Sequence, residues 1–64
     1  MRVTLRAARV NANLTQEAAA KELQVTKNTI IAWETGRSMP SVDKIERICG
    51  LYGATYDDII WRQQ

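Results

Sequence analysis

The side chains of this chain that could take part in recognition chemistry lie around positions 27 and 28. Lys27 can donate hydrogen bonds to guanine acceptors, and Asn28 can make a bidentate contact with the edge of adenine. Ile31 and Ala32 follow within one turn and offer apolar contact to thymine methyl groups. The same residue types are also ordinary on protein surfaces, and an exposed Ile can serve a protein contact instead. Residue type alone therefore leaves nucleic-acid binding and protein binding both open.

Other kinds of chemistry lack the residues that they need. The chain has no His and one Cys, and Cys49 lies among apolar neighbours, which is typical of a small buried hydrophobe. The acidic side chains are scattered over different helical faces, and there is no Gly-rich loop for a phosphate group. Asp57 and Asp58 are adjacent, but we interpret them as helix-start charges favoured by the helix dipole. We therefore expect no enzyme activity, no bound metal ion and no cofactor.

The charge is unevenly distributed, although the net charge is only +2. Residues 1–37 carry six basic and three acidic side chains, giving +3, whereas residues 38–64 carry three basic and four acidic ones, giving −1. A basic bias of this kind suits a surface that faces phosphates. One cysteine cannot form an intramolecular disulfide, and no apolar stretch approaches the roughly 20 residues that span a bilayer. We therefore expect a cytoplasmic protein with no membrane partner.

Start and stop signals divide the chain into five predicted helices, and no segment alternates polar and apolar residues over a strand's length. The predicted helices span residues 3–11, 16–23, 27–35, 42–52 and 56–60. The predicted N-caps are Thr15, Thr26, Ser41 and Thr55. Gly36 and Gly53 stand where helices end, and an apolar stripe from Val42 to Tyr52 is expected to face inward. The sequence thus predicts a single all-α domain over residues 1–64.

The second and third predicted helices are joined by a very short connection. The inward positions of this segment are Ala19, Leu23, Val25, Ile30 and Trp33. Helices joined by so short a turn cross steeply, and Ala20 is small enough to stand at the crossing. With Ile30 and Trp33 inside, Lys27 and Asn28 must point outward. The pattern predicts a tight helix-turn-helix.

These residues, taken in register, resemble the phage repressor and Cro-like helix-turn-helix family, also called the XRE family. The matching residues are Leu5-x-x-Ala8-Arg9, Leu14-Thr15-Gln16-Glu17, Ala20-x-x-Leu23-x-Val25-Thr26, Ile30-x-x-Trp33-Glu34-x-Gly36-Arg37, Pro40-Ser41, Leu51-Tyr52-Gly53 and Asp57-Asp58-Ile59-Ile60. The resemblance covers nearly the whole chain. A bare helix-turn-helix pattern is weakly specific, but this full set is strongly so.

The resemblance implies a compact five-helix, lambda-repressor-like fold whose third helix enters the DNA major groove. By position match, the implied base-contacting residues are Lys27 and Asn28, with Ile31 and Ala32 as secondary candidates. The implied phosphate-contacting residues are Gln16, Thr29, Thr35, Arg37 and Ser38. The implied function is sequence-specific binding of double-stranded DNA by a transcription regulator of phage or bacterial type, with repression as the expected sign.

Arg9 and Glu34 match a pair that in this family often forms a partly buried ion pair between the first and third helices. Its role would be to fix the recognition helix and not to touch DNA. Two solvated surface charges are the alternative.

The chain departs from the family pattern in three respects. Gln24 stands at the turn where the family usually has Gly, and a non-Gly residue in the left-handed conformation costs roughly 1 kcal/mol, so we expect the turn to be either strained or differently shaped. Asn13 also replaces a frequent Gly, an exchange that is tolerated because Asn visits the same region. Ala8 and Ala19 occupy common Leu positions and thin the core between the first two helices. We expect modest stability.

An antitoxin-like or other protein-interaction module on the same fold is the alternative function. Leu51, Ile59, Ile60 and Trp61 supply more apolar surface than a small core obviously needs, or they simply complete that core.

One recognition helix contacts only a few base pairs, so the resemblance implies two copies on a palindromic operator, with recognition helices about 34 Å apart. We expect a monomer or weak homodimer off DNA, with a possible seam at Leu51, Ile60 and Trp61.

Overall fold

The structure is a computed structural model that describes residues 2–61. In chain order its elements are β1 (Val3–Thr4), α1 (Leu5–Asn11), α2 (Gln16–Leu23), α3 (Lys27–Glu34), α4 (Val42–Tyr52), a 3₁₀ helix (Tyr56–Asp58) and β2 (Ile59–Ile60). The predicted helical class is confirmed. No helix within the described part of the chain is long and apolar enough to cross a membrane.

The prediction of five helices is wrong, because the segment expected to form the fifth helix is divided between two other elements. A three-residue 3₁₀ helix is followed at once by β2, which pairs in parallel with β1. Val3 is opposite Ile59, and Thr4 is opposite Ile60. In this extended conformation Ile59 is completely buried in the core. Ile59 and Ile60 are both β-branched, which favours a strand. The first helix also begins at Leu5 because Thr4 is its N-cap.

The predicted caps of the next three helices are confirmed. The side chains of Thr15, Thr26 and Ser41 each accept a hydrogen bond from the backbone N–H three residues on, at 3.0, 3.2 and 3.4 Å. Gly36 and Gly53 have left-handed φ angles of 78° and 69°, as expected after the ends of α3 and α4. These caps set the lengths of the helices and hence the positions of α2 and α3.

The core joins α2 and α3 to the rest of the molecule. Its buried apolar residues are Leu5, Ala8, Ala19, Ala20, Leu23, Ile30, Trp33, Ile48, Tyr52, Ile59 and Trp61. The predicted inward positions of the helix-turn-helix are therefore buried, apart from Val25, which is partly buried. Val42 was predicted to face inward but is 73% exposed, because it is the first residue of α4 and lies at the end of its stripe.

Trp61 is part of this core. Its side chain is 7% exposed, its Nε1 donates a hydrogen bond to the Tyr56 carbonyl oxygen at 3.0 Å, and its ring stacks on that of Tyr56 with centroids 5.5 Å apart. Trp61 is therefore not available as the surface anchor that the sequence suggested. Of the expected seam, Leu51 and Ile60 are partly exposed.

Candidate nucleic-acid interface

The turn between α2 and α3 is built on Gln24. Its backbone is left-handed, with φ 58° and ψ 45°, so of the two outcomes that the missing glycine left open the structure has the strained turn. The N–H of Val25 then donates to the Ala20 carbonyl oxygen at 2.9 Å, which closes the end of α2. Lys44 of α4 reaches the same end, where its Nζ donates to the Leu23 carbonyl oxygen at 2.8 Å. The turn is thus supported from two directions, and α3 starts from a defined place.

The orientation of α3 follows from its two buried residues. Ile30 and Trp33 are in the core, so the opposite side of the helix faces solvent. Lys27 and Asn28 are exposed there, whereas Ile31 and Ala32 are half-buried. The two half-buried apolar side chains therefore pack partly against the fold and are partly accessible at the surface.

An open groove of about 510 Å³ runs along this outward side of α3, and we call it the recognition groove. Its lining residues are Asn28, Ile31, Ala32, Arg37 and Ser38. Arg37 and Ser38 follow the left-handed Gly36, and their N–H groups donate to the Ala32 carbonyl oxygen at 2.9 and 3.3 Å. The tertiary structure therefore brings three of the predicted base-contacting residues and two of the predicted phosphate-contacting residues around one groove.

A second open groove, of about 630 Å³, separates α1 from α3, and we call it the α1–α3 groove. Its lining residues are Thr4, Arg6, Arg9, Thr15, Gln16, Ile31, Glu34 and Thr35. Gln16 and Thr35 were predicted to contact phosphates, but Arg6 was missed. Its signal was faint, since an exposed Arg on α1 becomes relevant only when α1 is placed beside α3.

Two threonines of the predicted site already have partners within the chain. The Oγ1 of Thr29 lies 2.9 Å from that of Thr26, at the start of α3. The Oγ1 of Thr35 donates to the Ile31 carbonyl oxygen at 2.8 Å. Lone pairs remain on these oxygens, but the Thr35 proton is committed to the helix. Lys27 lies outside both grooves and pairs with Glu17, with 3.1 Å between Nζ and Oε2.

Arg9 and Glu34 form a network beneath the α1–α3 groove. Arg9 Nε donates to Glu34 Oε2 at 2.6 Å, and Nη2 donates to Oε1 at 3.4 Å. Nη1 donates to the Leu14 carbonyl oxygen at 2.7 Å, and Gln16 Nε2 donates to Glu34 Oε1 at 3.2 Å. Only 8% and 4% of the two charged side chains are exposed, so they are not solvated surface charges. The network connects α1, the first residue of α2 and the last residue of α3.

Tyr52 of α4 lies in the electrostatic field of this network. Burial raises its pKa to about 12, with a further upward contribution from the negative charge of Glu34 and a smaller opposing one from Arg9. The phenol is therefore neutral over the physiological pH range.

Throughout residues 2–61, no group of three His, Cys, Asp or Glu side chains is placed to hold a metal ion.

Two capped helices joined at a short turn, with a polar exposed face on the second, define a helix-turn-helix domain. The family model described as Helix-turn-helix matches residues 5–59. The chain belongs to this family, which confirms the resemblance to XRE-type proteins.

Several curated relatives carry the names of transcription regulators. The chain is 33% identical over 52 residues to the HTH-type transcriptional activator BcrR of Enterococcus faecalis, covering 81% of this chain and 26% of that protein. It is 32% identical over 56 residues to the cryptic phage CTXphi transcriptional repressor RstR of Vibrio cholerae, covering 88% and 50%. It is 45% identical over 47 residues to an uncharacterized HTH-type transcriptional regulator of Methanocaldococcus jannaschii, covering 73% and 71%. The first two relatives are thus much longer than the matched region, and no solved structure matches the chain significantly.

Proposed function

We propose that this chain binds double-stranded DNA in a sequence-specific manner and regulates transcription. The recognition groove is the observation that carries the proposal, because it places an amide and two apolar side chains beside an arginine and a serine. The amide and apolar groups suit the edges of bases, while Arg37 and Ser38 suit the phosphate backbone. The relatives that are named transcription regulators support the same conclusion.

In the proposed complex α3 lies in the major groove, so that its N-terminal residues Lys27 and Asn28 contact base edges. Ile31 and Ala32 then contact thymine methyl groups. Backbone contacts come from the predicted phosphate-contacting set, Gln16, Thr29, Thr35, Arg37 and Ser38, with Arg6 as an addition from the α1–α3 groove. The Arg9–Glu34 pair does not contact DNA in this complex and contributes indirectly, because it holds both α3 and Gln16 in place.

We propose that the chain represses transcription and that it acts in the cytoplasm. RstR, whose match covers 88% of the chain, is named a repressor, and a domain seated in the major groove excludes other proteins from its site. BcrR is named an activator, so the direction of regulation needs a direct test. A reporter gene placed behind a selected site should lose expression when this chain is produced.

Two copies on a palindromic site form the complex that we propose, since one α3 contacts only a few base pairs. Leu51 and Ile60 are the partly exposed residues of the expected seam. The case for an antitoxin-like protein partner is weaker than the sequence suggested, because Ile59 and Trp61 are used in the chain's own core. DNA binding is therefore the function that the structure supports best.

The test starts from DNA sequences selected out of a random pool by the wild-type chain. Each of Lys27→Ala and Asn28→Ala should cost about 1–3 kcal/mol at one base position and relax preference there, with little effect on folding. Arg37→Ala should weaken binding to all sequences alike and reduce the dependence of affinity on salt. Lys21→Ala is the matched control, because Lys21 is exposed on α2 and lines neither groove. Equal, sequence-independent losses in all three variants would refute the assignment of α3.

A further inference from the structure

Lys27 has a carboxylate partner within the chain. Glu17, in the first turn of α2, places Oε2 3.1 Å from the Lys27 Nζ at the start of α3. The two side chains remain 67% and 49% exposed, so the contact is not needed to fill the core. The contact joins the N-terminal ends of the two helices that form the proposed interface.

The position of the contact determines what it does to Lys27. An unpaired lysine at the edge of a DNA-binding surface is a flexible point charge that any phosphate attracts. Glu17 neutralises that charge locally and directs one of the three Nζ protons toward α2. Two protons remain for an acceptor that is fixed in space on the other side. A base edge held by the docked helix meets this condition better than a phosphate met at random.

The pair also has a stable charge state and a low cost of opening. The pKa of Glu17 lies below its ordinary value of 4.5, owing first to a hydrogen bond from its own backbone N–H and then to Lys27, so the carboxylate stays ionised at neutral pH. Exposed ion pairs are individually weak, so the effect of this one on affinity should be a few-fold.

We propose that Glu17 is a specificity-determining residue that restrains Lys27 and so lowers binding to non-cognate DNA. The proposal rests on the proposed function, because it concerns how the same surface separates one sequence from another. Glu17 contributes no attraction to DNA. It improves discrimination by reducing the sequence-independent part of the affinity.

Glu17→Gln tests this with two duplexes, one selected from the random pool and one with the same composition in scrambled order. Affinity for the scrambled duplex should rise about threefold or more. The slope of log affinity against log salt concentration should steepen by about 0.9, the value for one added phosphate contact. Affinity for the selected duplex should change less, so discrimination falls. Glu22→Gln is the matched control, since Glu22 is an exposed carboxylate on the same helix with no salt bridge among residues 2–61.

Two further measurements decide whether Glu17 acts through Lys27. In a Lys27→Met background, Glu17→Gln should do no more than Glu22→Gln; an undiminished effect there means direct repulsion from DNA and overturns the proposal. An NMR titration without DNA should show a higher Glu17 pKa in Lys27→Met, and an unchanged pKa also overturns it. If the wild-type chain enriches no sequence, the proposed function fails together with this inference. If sequences are enriched but Glu17→Gln leaves discrimination unchanged, this inference alone fails.

Discussion

Arg9 and Glu34 lie almost entirely out of solvent, where an unpaired charge is very costly. Three nitrogens of the Arg9 guanidinium donate hydrogen bonds, and Glu34 receives a further one from Gln16. None of the described buried side-chain polar atoms lacks a partner. At the scale of single residues, the pair therefore stabilises one arrangement of three segments, because any other arrangement would leave a buried charge without its partner.

We predict strong energetic coupling between these two residues. Arg9→Met and Glu34→Leu should each destabilise the fold by about 3–5 kcal/mol, since each leaves one buried charge unpaired. The double variant should recover much of that loss. A double-mutant cycle on thermal unfolding measures the coupling, which should lie well above the 0–1 kcal/mol typical of exposed pairs. The Lys27–Glu17 pair is the matched exposed control. Strict additivity in the Arg9–Glu34 cycle would contradict the prediction.

At the scale of the elements, the turn between α2 and α3 combines strain with support. Gln24 is left-handed, which is unfavourable for a residue with a side chain, yet it lets the chain reverse within a few residues. The hydrogen bond from Lys44 to the Leu23 carbonyl oxygen satisfies a group that the end of α2 would otherwise leave free. This support comes from α4, which is distant in sequence, so part of the turn's stability depends on the complete fold.

Gln24→Gly should stabilise the domain. Relief of the left-handed strain outweighs the added freedom of glycine in the unfolded chain, and the net gain should be about 0.5–1 kcal/mol. Thermal denaturation should show a rise of roughly 4 °C, since about 1 kcal/mol corresponds to 4–8 °C in a domain of this size. Asn13→Gly is the matched comparison. Asn13 has a similar φ of 61°, but Asn tolerates this region, so its gain should be smaller. A lower melting temperature for Gln24→Gly would refute the prediction.

At the scale of the whole molecule, the two ends of the described chain are held together. β1 precedes α1 and β2 follows the 3₁₀ helix, and their parallel pairing connects the beginning of the fold to its end. Ile59 and Trp61 then complete the core beside residues from the other helices. The small alanines at positions 8 and 19 are buried in the same cluster, so apolar volume from the end of the chain adds to a core in which α1 and α2 each have a small residue at one buried position.

Trp61→Ala should therefore destabilise each single chain. Loss of a buried Trp side chain costs about 3–5 kcal/mol, so the melting temperature should fall strongly even at concentrations where the chain is monomeric. Circular dichroism across a dilution series measures this loss. An unchanged melting temperature would mean that Trp61 lies outside the core.

Ile60→Ser separates pairing from folding, because Ile60 is only partly buried. We predict a small change in thermal stability together with weaker cooperative binding to a palindromic duplex, measured by sedimentation and footprinting. Binding to a single half-site should stay the same. Val42→Ser is the control, since Val42 is an exposed apolar residue outside the expected seam. Unreduced cooperativity in Ile60→Ser would rule out this seam.

The chain's sequence was sufficient to predict the features that depend on a few neighbouring residues. The N-caps, the glycine stops and the inward positions Ile30 and Trp33 follow from hydrogen bonding and helical spacing within one or two turns, and all are present in the structure. The left-handed conformation of Gln24 was one of two outcomes that the family resemblance left open, because the family usually has Gly at this turn. The base-contacting residues could be predicted because Ile30 and Trp33 leave the opposite side of the helix exposed, and the phosphate-contacting residues could be predicted from the family resemblance. The contacts of both groups with DNA stay a prediction.

Only the tertiary structure decided the features that depend on residues far apart in the chain. The change of the fifth helix into a 3₁₀ turn and a strand requires β1 as a partner, whose paired residues lie 56 positions away, and local propensity does not encode that pairing. Trp61 became a core residue and not a surface anchor because the space it fills is formed by other elements. The contacts of Lys27 with Glu17 and of Lys44 with Leu23 arise in the same way, since long flexible side chains meet partners that only the packed helices bring within reach.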